Sequence, residues 1–243
     1  MEHACRCAWN DFPDIVIAAS ETNVKQHPQY AQAKAGNLDQ STPAAKRLAA
    51  AMLSARFLDS VRALRLENAL LVPIHALEGR GFNRIPAAFA ELLAERLDLE
   101  VEIRIIQANV VNHTGASGWE RMARPAIFEG EFAPGRNYVL VDDFVGQGGT
   151  LANMRGFIHH HAGQVVGAIT LTGRGDSARI ALTPETLQSL RKKHGRQAET
   201  WWTEAFGYDF GCLTESEGRY LLRVEDADTI RTRIFAAGSE VLD

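Results

Sequence analysis

The stretch Tyr-Val-Leu-Val-Asp-Asp-Phe-Val-Gly-Gln-Gly-Gly-Thr-Leu, residues 138–151, restricts the fold more than any other part of the chain. Tyr138 to Val141 is an unbroken apolar run, the pattern of a strand buried on both faces of a parallel sheet. It leads into two adjacent carboxylates, Asp142 and Asp143, and then, after two apolar residues, into a turn of Gly146, Gln147, Gly148 and Gly149 closed by Thr150. A helical stripe of Leu151, Met154, Phe157 and Ile158 follows at once, with Gly163 as its stop. Parallel strands need crossovers, so strand, turn and helix together predict an α/β fold with a mostly parallel sheet flanked by helices.

Such a unit suits an anion. Glycines let backbone N–H groups approach a phosphate, and the unpaired N–H groups of a helix's first turn point toward it. The Thr150 hydroxyl adds a donor. Two upstream carboxylates suit a ligand that carries hydroxyls as well as a phosphate, because ionised carboxylates accept hydrogen bonds from vicinal diols. A ribose 5-phosphate has that polarity.

In this motif the chain resembles the type I phosphoribosyltransferase family, whose signature is a hydrophobic run, two acids, two apolar residues and a small-residue loop ending in Thr. The resemblance implies a Rossmann-like, phosphoribosyltransferase-like sheet with N- and C-terminal helical additions. It also implies binding of 5-phosphoribosyl 1-diphosphate with Mg2+, and transfer of the phosphoribosyl group to a nitrogenous base or the reverse. Asp142 and Asp143 would then hold the ribose hydroxyls, and one of them would touch the metal. Gly146, Gln147, Gly148, Gly149 and Thr150 would wrap the 5-phosphate. Gly146 and Gln147 depart from the family, which more often has Thr or Ala followed by Thr or Ser. Two other readings fit the same residues: a non-catalytic regulator or sensor of such a ligand, and a hydrolase of a nucleotide glycosidic bond.

Ala69 to Ile74 reads as the first core strand, with a helix from about Pro86 whose buried face is Phe89, Leu92, Leu93 and Leu97. By the resemblance, the loop between them binds pyrophosphate through His75, Ala76, Leu77, Glu78 and Gly79, with Arg80 and Arg84 as cations. Glu78 would face away or reach Mg2+. No Gly-x-Gly-x-x-Gly follows this strand, which disfavours a nucleotide-dependent dehydrogenase. Val101 to Ile106 alternates as an edge strand does. The polar stretch 109–124 corresponds to the family's closing loop, where Arg121 and Arg124 would meet departing pyrophosphate. Phe128 to Phe132 is expected to form a short antiparallel strand. Val165 to Leu171 is a further buried strand, and Arg174 beyond its end is a candidate for the acceptor pocket.

Three segments are expected: 1–66, an N-terminal extension and candidate hood; 67–182, the α/β core; and 183–243, a helical subdomain. Ala44 to Leu66 patterns as one helix with Pro43 in its first turn. Thr183–Pro184 opens another that ends at Gly195, Thr214 to Glu217 spells a capping box, and Asp228 would cap the last. Trp201, Trp202, Phe206, Tyr208 and Phe210 read as the core of this subdomain rather than a base-stacking surface.

A chain of 243 residues can build one sizeable core. Lys+Arg 26 against Asp+Glu 30 leaves a charge of -4, so nothing marks a nucleic-acid partner. Three cysteines, Cys5, Cys7 and Cys212, do not make a disulfide framework. The first ten residues lack a secretory apolar core, and no stretch approaches the roughly 18 apolar residues of a membrane helix. A cytoplasmic protein acting on a small molecule is expected, and the resemblance implies a homodimer.

Overall fold

The computed structural model describes residues 4–35, 38–64, 66–74, 77–78, 81–109, 116–131 and 133–239, with backbone alone at 38, 39, 77, 78, 81 and 82. Its strands are β1 (Val16–Ser20), β2 (Ala69–Pro73), β3 (Leu77–Glu78), β4 (Gly81–Phe82), β5 (Glu100–Val101), β6 (Ile106–Gln107), β7 (Phe128–Glu129), β8 (Asn137–Val145) and β9 (Gln164–Gly173). Its helices are α1 (Glu21–Lys25), α2 (Tyr30–Ala33), α3 (Leu38–Met52), α4 (Ala55–Arg62), α5 (Ile85–Leu97), α6 (Gly118–Ala123), α7 (Gly149–His160), α8 (Pro184–Phe206), α9 (Glu215–Leu222) and α10 (Ala227–Ser239).

Five strands form one sheet in the order β1-β9-β8-β2-β5, and every pairing in it is parallel. β3 with β4 and β6 with β7 make two small antiparallel pairs. The α/β architecture inferred from the buried run at 138–141 is therefore present. From β2 the chain goes outward to β5, then returns to β8 and proceeds the other way to β9. The strand order reverses between β2 and β8, and open α/β sheets bind ligands beyond the carboxyl ends of their strands at such a reversal.

Alternation along the strands sorts the core into two faces. Leu71, Val139, Val141, Ile169 and Leu171 pack with Leu48, Phe57, Phe89 and Leu93 of α3, α4 and α5. Leu70, Val72, Tyr138, Leu140 and Ala168 pack with Leu151, Met154 and Ile158 of α7, and with Trp9 and Ile15 from the N-terminal segment. A third cluster joins α6 to the C-terminal helices, with Trp202 at its centre. The rings of Trp202 and Phe206 lie 4.3 Å apart and those of Trp202 and Phe210 5.8 Å, so the aromatic run builds a core there.

Several boundaries differ from the sequence reading. The helix expected over 44–66 is two helices, because Ser54 is extended (φ -82°, ψ 156°) and its side chain caps α4 at Phe57 N. α3 starts at Leu38, which leaves Pro43 inside it. The strand expected over 101–106 breaks after Val101. Glu102 turns inward to accept from the Arg104 backbone (2.9 Å) and guanidinium, and Ile103 is left exposed. Gly195 (φ 76°, ψ 171°) interrupts α8, but the helix resumes. Asp226, not Asp228, accepts from Thr229 N at the start of α10 (2.7 Å).

Candidate active site at the β2–β8 reversal

β8 runs to Val145, past the last apolar residue of its opening run, so both acids lie within the strand. Its pairing with β2 stops at Pro73 with Val141, while its pairing with β9 continues from Asp142 opposite Thr170 to Val145 opposite Gly173. Asp142 and Asp143 are thus the first residues of β8 beyond the end of β2, at the point where the strand order reverses. The pleat sends them to opposite faces.

Asp143 accepts from Asn83 Nδ2 at 2.9 Å and pairs with Lys34 Nζ at 2.9 Å. Asn83 is fixed by its own side-chain Oδ1, which accepts from Ile85 N, the first residue of α5 (3.2 Å). Lys34 follows α2, so the N-terminal extension reaches the site. Asp142 is only 9% exposed, and its carboxylate accepts from the Asp143 backbone N–H at 2.8 Å. Burial first, and the neighbouring Asp143 charge second, hold the Asp142 pKa well above the usual carboxylate range.

The turn that follows is built by close approach. Gly148 has φ 80° and caps α7 at its N-terminus, a left-handed conformation that favours glycine. Gln147 O accepts from the Thr214 hydroxyl at 2.5 Å, which ties the turn to the N-terminus of α9. A Cβ placed on Gly149 would lie 2.8 Å from Glu217 Oε1. Glu217 is buried in a bidentate pair with Arg6, at 2.6 and 2.9 Å. Arg6 also donates to Asn153 on α7 (2.7 Å), so three distant segments meet behind this turn. Thr150 lies in the first turn of α7, half-buried.

On the open side stands α6. A Cβ placed on Gly146 would lie 3.2 Å from Arg121 Nη1, and one on Gly118 would lie 2.8 Å from Gln147 Nε2. Burial, then the charge of Arg174, lowers the Arg121 pKa, so Arg174 stands close enough to repel it. Arg174 itself is exposed just past β9. Arg124 turns away, toward Glu120 (3.5 Å) and the Ala237 carbonyl (3.2 Å).

Of the remaining predicted site residues, Leu77 and Glu78 form β3, whose backbone pairs with β4. His75, Ala76, Gly79 and Arg80 lie outside the described residues. Lys34, Asn83, Thr214 and Glu217 were not foreseen at the site. The Thr214–Glu217 capping box was legible, but no sequence signal ties it to a turn 67 residues away.

No family model matches the chain. It is 36% identical over 242 residues to Protein TraN of Escherichia coli, which covers 98% of this chain and 52% of TraN. It is 35% identical over 158 residues to an uncharacterized protein of Haemophilus influenzae, covering 63% of this chain and 34% of that one. The chain therefore spans about half or less of the length of these curated relatives. Among solved structures, it is similar to an adenine phosphoribosyltransferase from Rhodothermus marinus, with TM-score 0.32 and 13% identity, over 50% of this chain and 81% of that one. It is also similar to the UMP synthase of Leishmania donovani, with TM-score 0.33 and 15% identity, over 76% of this chain and 34% of that one. No helix among the described residues is long and apolar enough to cross a membrane.

Proposed function

We propose that this chain binds 5-phosphoribosyl 1-diphosphate and acts as a phosphoribosyltransferase toward a nitrogenous base. The reading is carried by one observation: an acid pair at the strand-order reversal, followed directly by a glycine turn and a helix N-terminus. Asp143, on the face of α5 and Lys34, accepts from the ribose hydroxyls. The backbone N–H groups of the turn and of α7 receive the 5-phosphate, aided by the helix dipole. Lys34, ion-paired to Asp143, brings a cation from the N-terminal extension, the segment we assign as hood.

Mg2+ fits this donor set. Among the described residues no group of three or more His, Cys, Asp or Glu comes together as a metal site. A cation that takes one or two carboxylates and completes its shell with ligand oxygens and water matches how Mg2+ is usually held. When bound, it would neutralise charge building on the pyrophosphate oxygens. The chain's own part is placement: Asp142 and Asp143 set negative charge near the ribose as positive charge grows on its ring, and the turn fixes the far end of the sugar.

The test is titration calorimetry with Mg2+ and 5-phosphoribosyl 1-diphosphate, followed by assay of pyrophosphate release across purine and pyrimidine bases. Binding with base-dependent release supports a transferase. Binding without release with any base would make the chain a sensor, and release with water as acceptor would make it a hydrolase. Absence of heat at millimolar ligand would overturn the ligand assignment.

A further inference from the structure

We propose that the Arg121 guanidinium, seconded by Arg174, is a direct side-chain ligand of the phosphate in the Gly146–Thr150 turn. The inference rests on the reading above and extends it to a residue outside the motif. Gly146 and Gln147 bring no hydroxyl to the turn, and Gln147 is turned under Gly118, where its Oε1 is buried without a partner among the described residues. The backbone at Gly146 does not have a positive φ, so its conformation does not demand glycine. Its surroundings do. The space for a side chain at 146 is bounded by the Phe144 ring at 3.1 Å and by Arg121 Nη1 at 3.2 Å. A cation therefore stands where a side-chain donor of the turn itself would otherwise project.

That cation is placed before any ligand arrives. Arg121 Nε donates to the Ala116 carbonyl at 3.2 Å. Its helix α6 begins with a capping box, in which Ser117 and Glu120 satisfy each other's backbone N–H groups. Trp119 of the same helix packs on Tyr220 of α9 with ring centroids 5.1 Å apart, and Arg233 of α10 lies 5.5 Å over its ring. The C-terminal subdomain thus holds α6 over the turn. A guanidinium fixed in this way loses little rotamer freedom on binding and offers a planar fork that suits two phosphate oxygens. Arg174 follows directly on β9, and its backbone N–H donates to the Val145 carbonyl at 3.2 Å, one residue before Gly146, so a second positive charge is anchored beside the turn, and a bound dianion would offset the repulsion between the two.

The experiment is calorimetric titration of the wild-type chain and variants with ribose 5-phosphate, with the fold of each checked by circular dichroism. Arg121→Gln is expected to weaken binding about tenfold to 150-fold, the range for a lost charge-assisted hydrogen bond. Arg121→Lys should fall between, and Arg174→Gln should lose less than Arg121→Gln. Gly146→Thr in the Arg121→Gln background should recover part of the loss, because the hydroxyl then occupies the vacated space. A merely structural arginine would not be rescued from Gly146. Wild-type binding with unchanged affinity in Arg121→Gln would overturn the inference and leave the ribose-phosphate assignment standing. A wild type that does not bind would sink both. If Arg121→Gln fails to fold, Arg121→Lys decides: affinity equal to wild type overturns the inference, and a severalfold loss upholds it.

Discussion

Arg6 and Glu217, 211 residues apart in the chain, form a bidentate ion pair directly behind the first residue of α7. Each side chain is 2% exposed. The pair joins the N-terminal segment to α9 and, through Asn153, to the helix that opens the candidate phosphate turn. Removing one partner strands a buried charge, so Glu217→Gln is expected to cost about 3–5 kcal/mol of stability. Replacing both by Met and Leu removes the stranded charge and should restore most of that loss. Urea denaturation of the two variants measures the difference, and equal losses would show that the stranded charge is not what Glu217→Gln costs.

The buried Asp142 gives the fold a pH dependence with a definite sign. Its folded pKa lies above the ordinary 3.8, so the folded state holds the proton more tightly than the unfolded chain does. Its stabilising contribution is complete below the unfolded value and is lost as pH rises through the folded one. Once pH has risen through that folded value the wild type carries a poorly solvated charge, and Asp142→Asn should then raise the urea midpoint. As pH falls back below the folded value the advantage should shrink, because the wild-type carboxyl is then neutral as well. A midpoint difference that does not change between pH 4 and 8 would contradict the burial argument.

What was legible in the sequence follows a physical division. The run Tyr138–Val141 announced a buried parallel strand because a strand covered on both faces has nowhere to place a polar residue. The turn and α7 were legible because positive φ and close approach select glycine, as at Gly148. Lys34 and Asn83 were not foreseen because their position opposite Asp143 depends on how α2 and α5 pack on the sheet. Ile103 misled the strand reading, since an alternating pattern cannot register that Glu102 turns inward to Arg104. Arg121 was assigned to a closing loop, but it is held at Gly146 by helices more than 90 residues further on, a tertiary fact with no local trace.

Gly148 tests the turn itself. Alanine at φ 80° carries a left-handed penalty of about 1–2 kcal/mol. Its Cβ would also meet Ile180 Cδ1 at 3.0 Å. Gly148→Ala should therefore lower the melting temperature and weaken ribose 5-phosphate binding together. Gly175→Ala is the control, since a Cβ there meets nothing within 4 Å and its backbone is not in the left-handed region. Equal melting temperatures for the two variants would mean that the turn relaxes without strain.

Asp143 separates two roles by the sign of a single measurement. Its carboxylate pairs with Lys34 and accepts from Asn83, so one role is to neutralise a cation at the crevice. In that case Asp143→Asn would free positive charge, and binding of the polyanionic 5-phosphoribosyl 1-diphosphate would tighten. If Asp143 instead accepts from the ribose hydroxyls, its loss removes hydrogen bonds to a charged group worth about 1.5–3 kcal/mol. Affinity then falls roughly tenfold to 150-fold despite the freed cation. We expect the fall. Lys34→Met in the same assay calibrates the opposing term, since the pair is partly exposed and its charge is screened. Calorimetry at two salt concentrations reads both effects, because the Lys34 contribution should weaken with salt and the hydroxyl contacts should not. Tighter binding in Asp143→Asn would move Asp143 from the ligand to the scaffold.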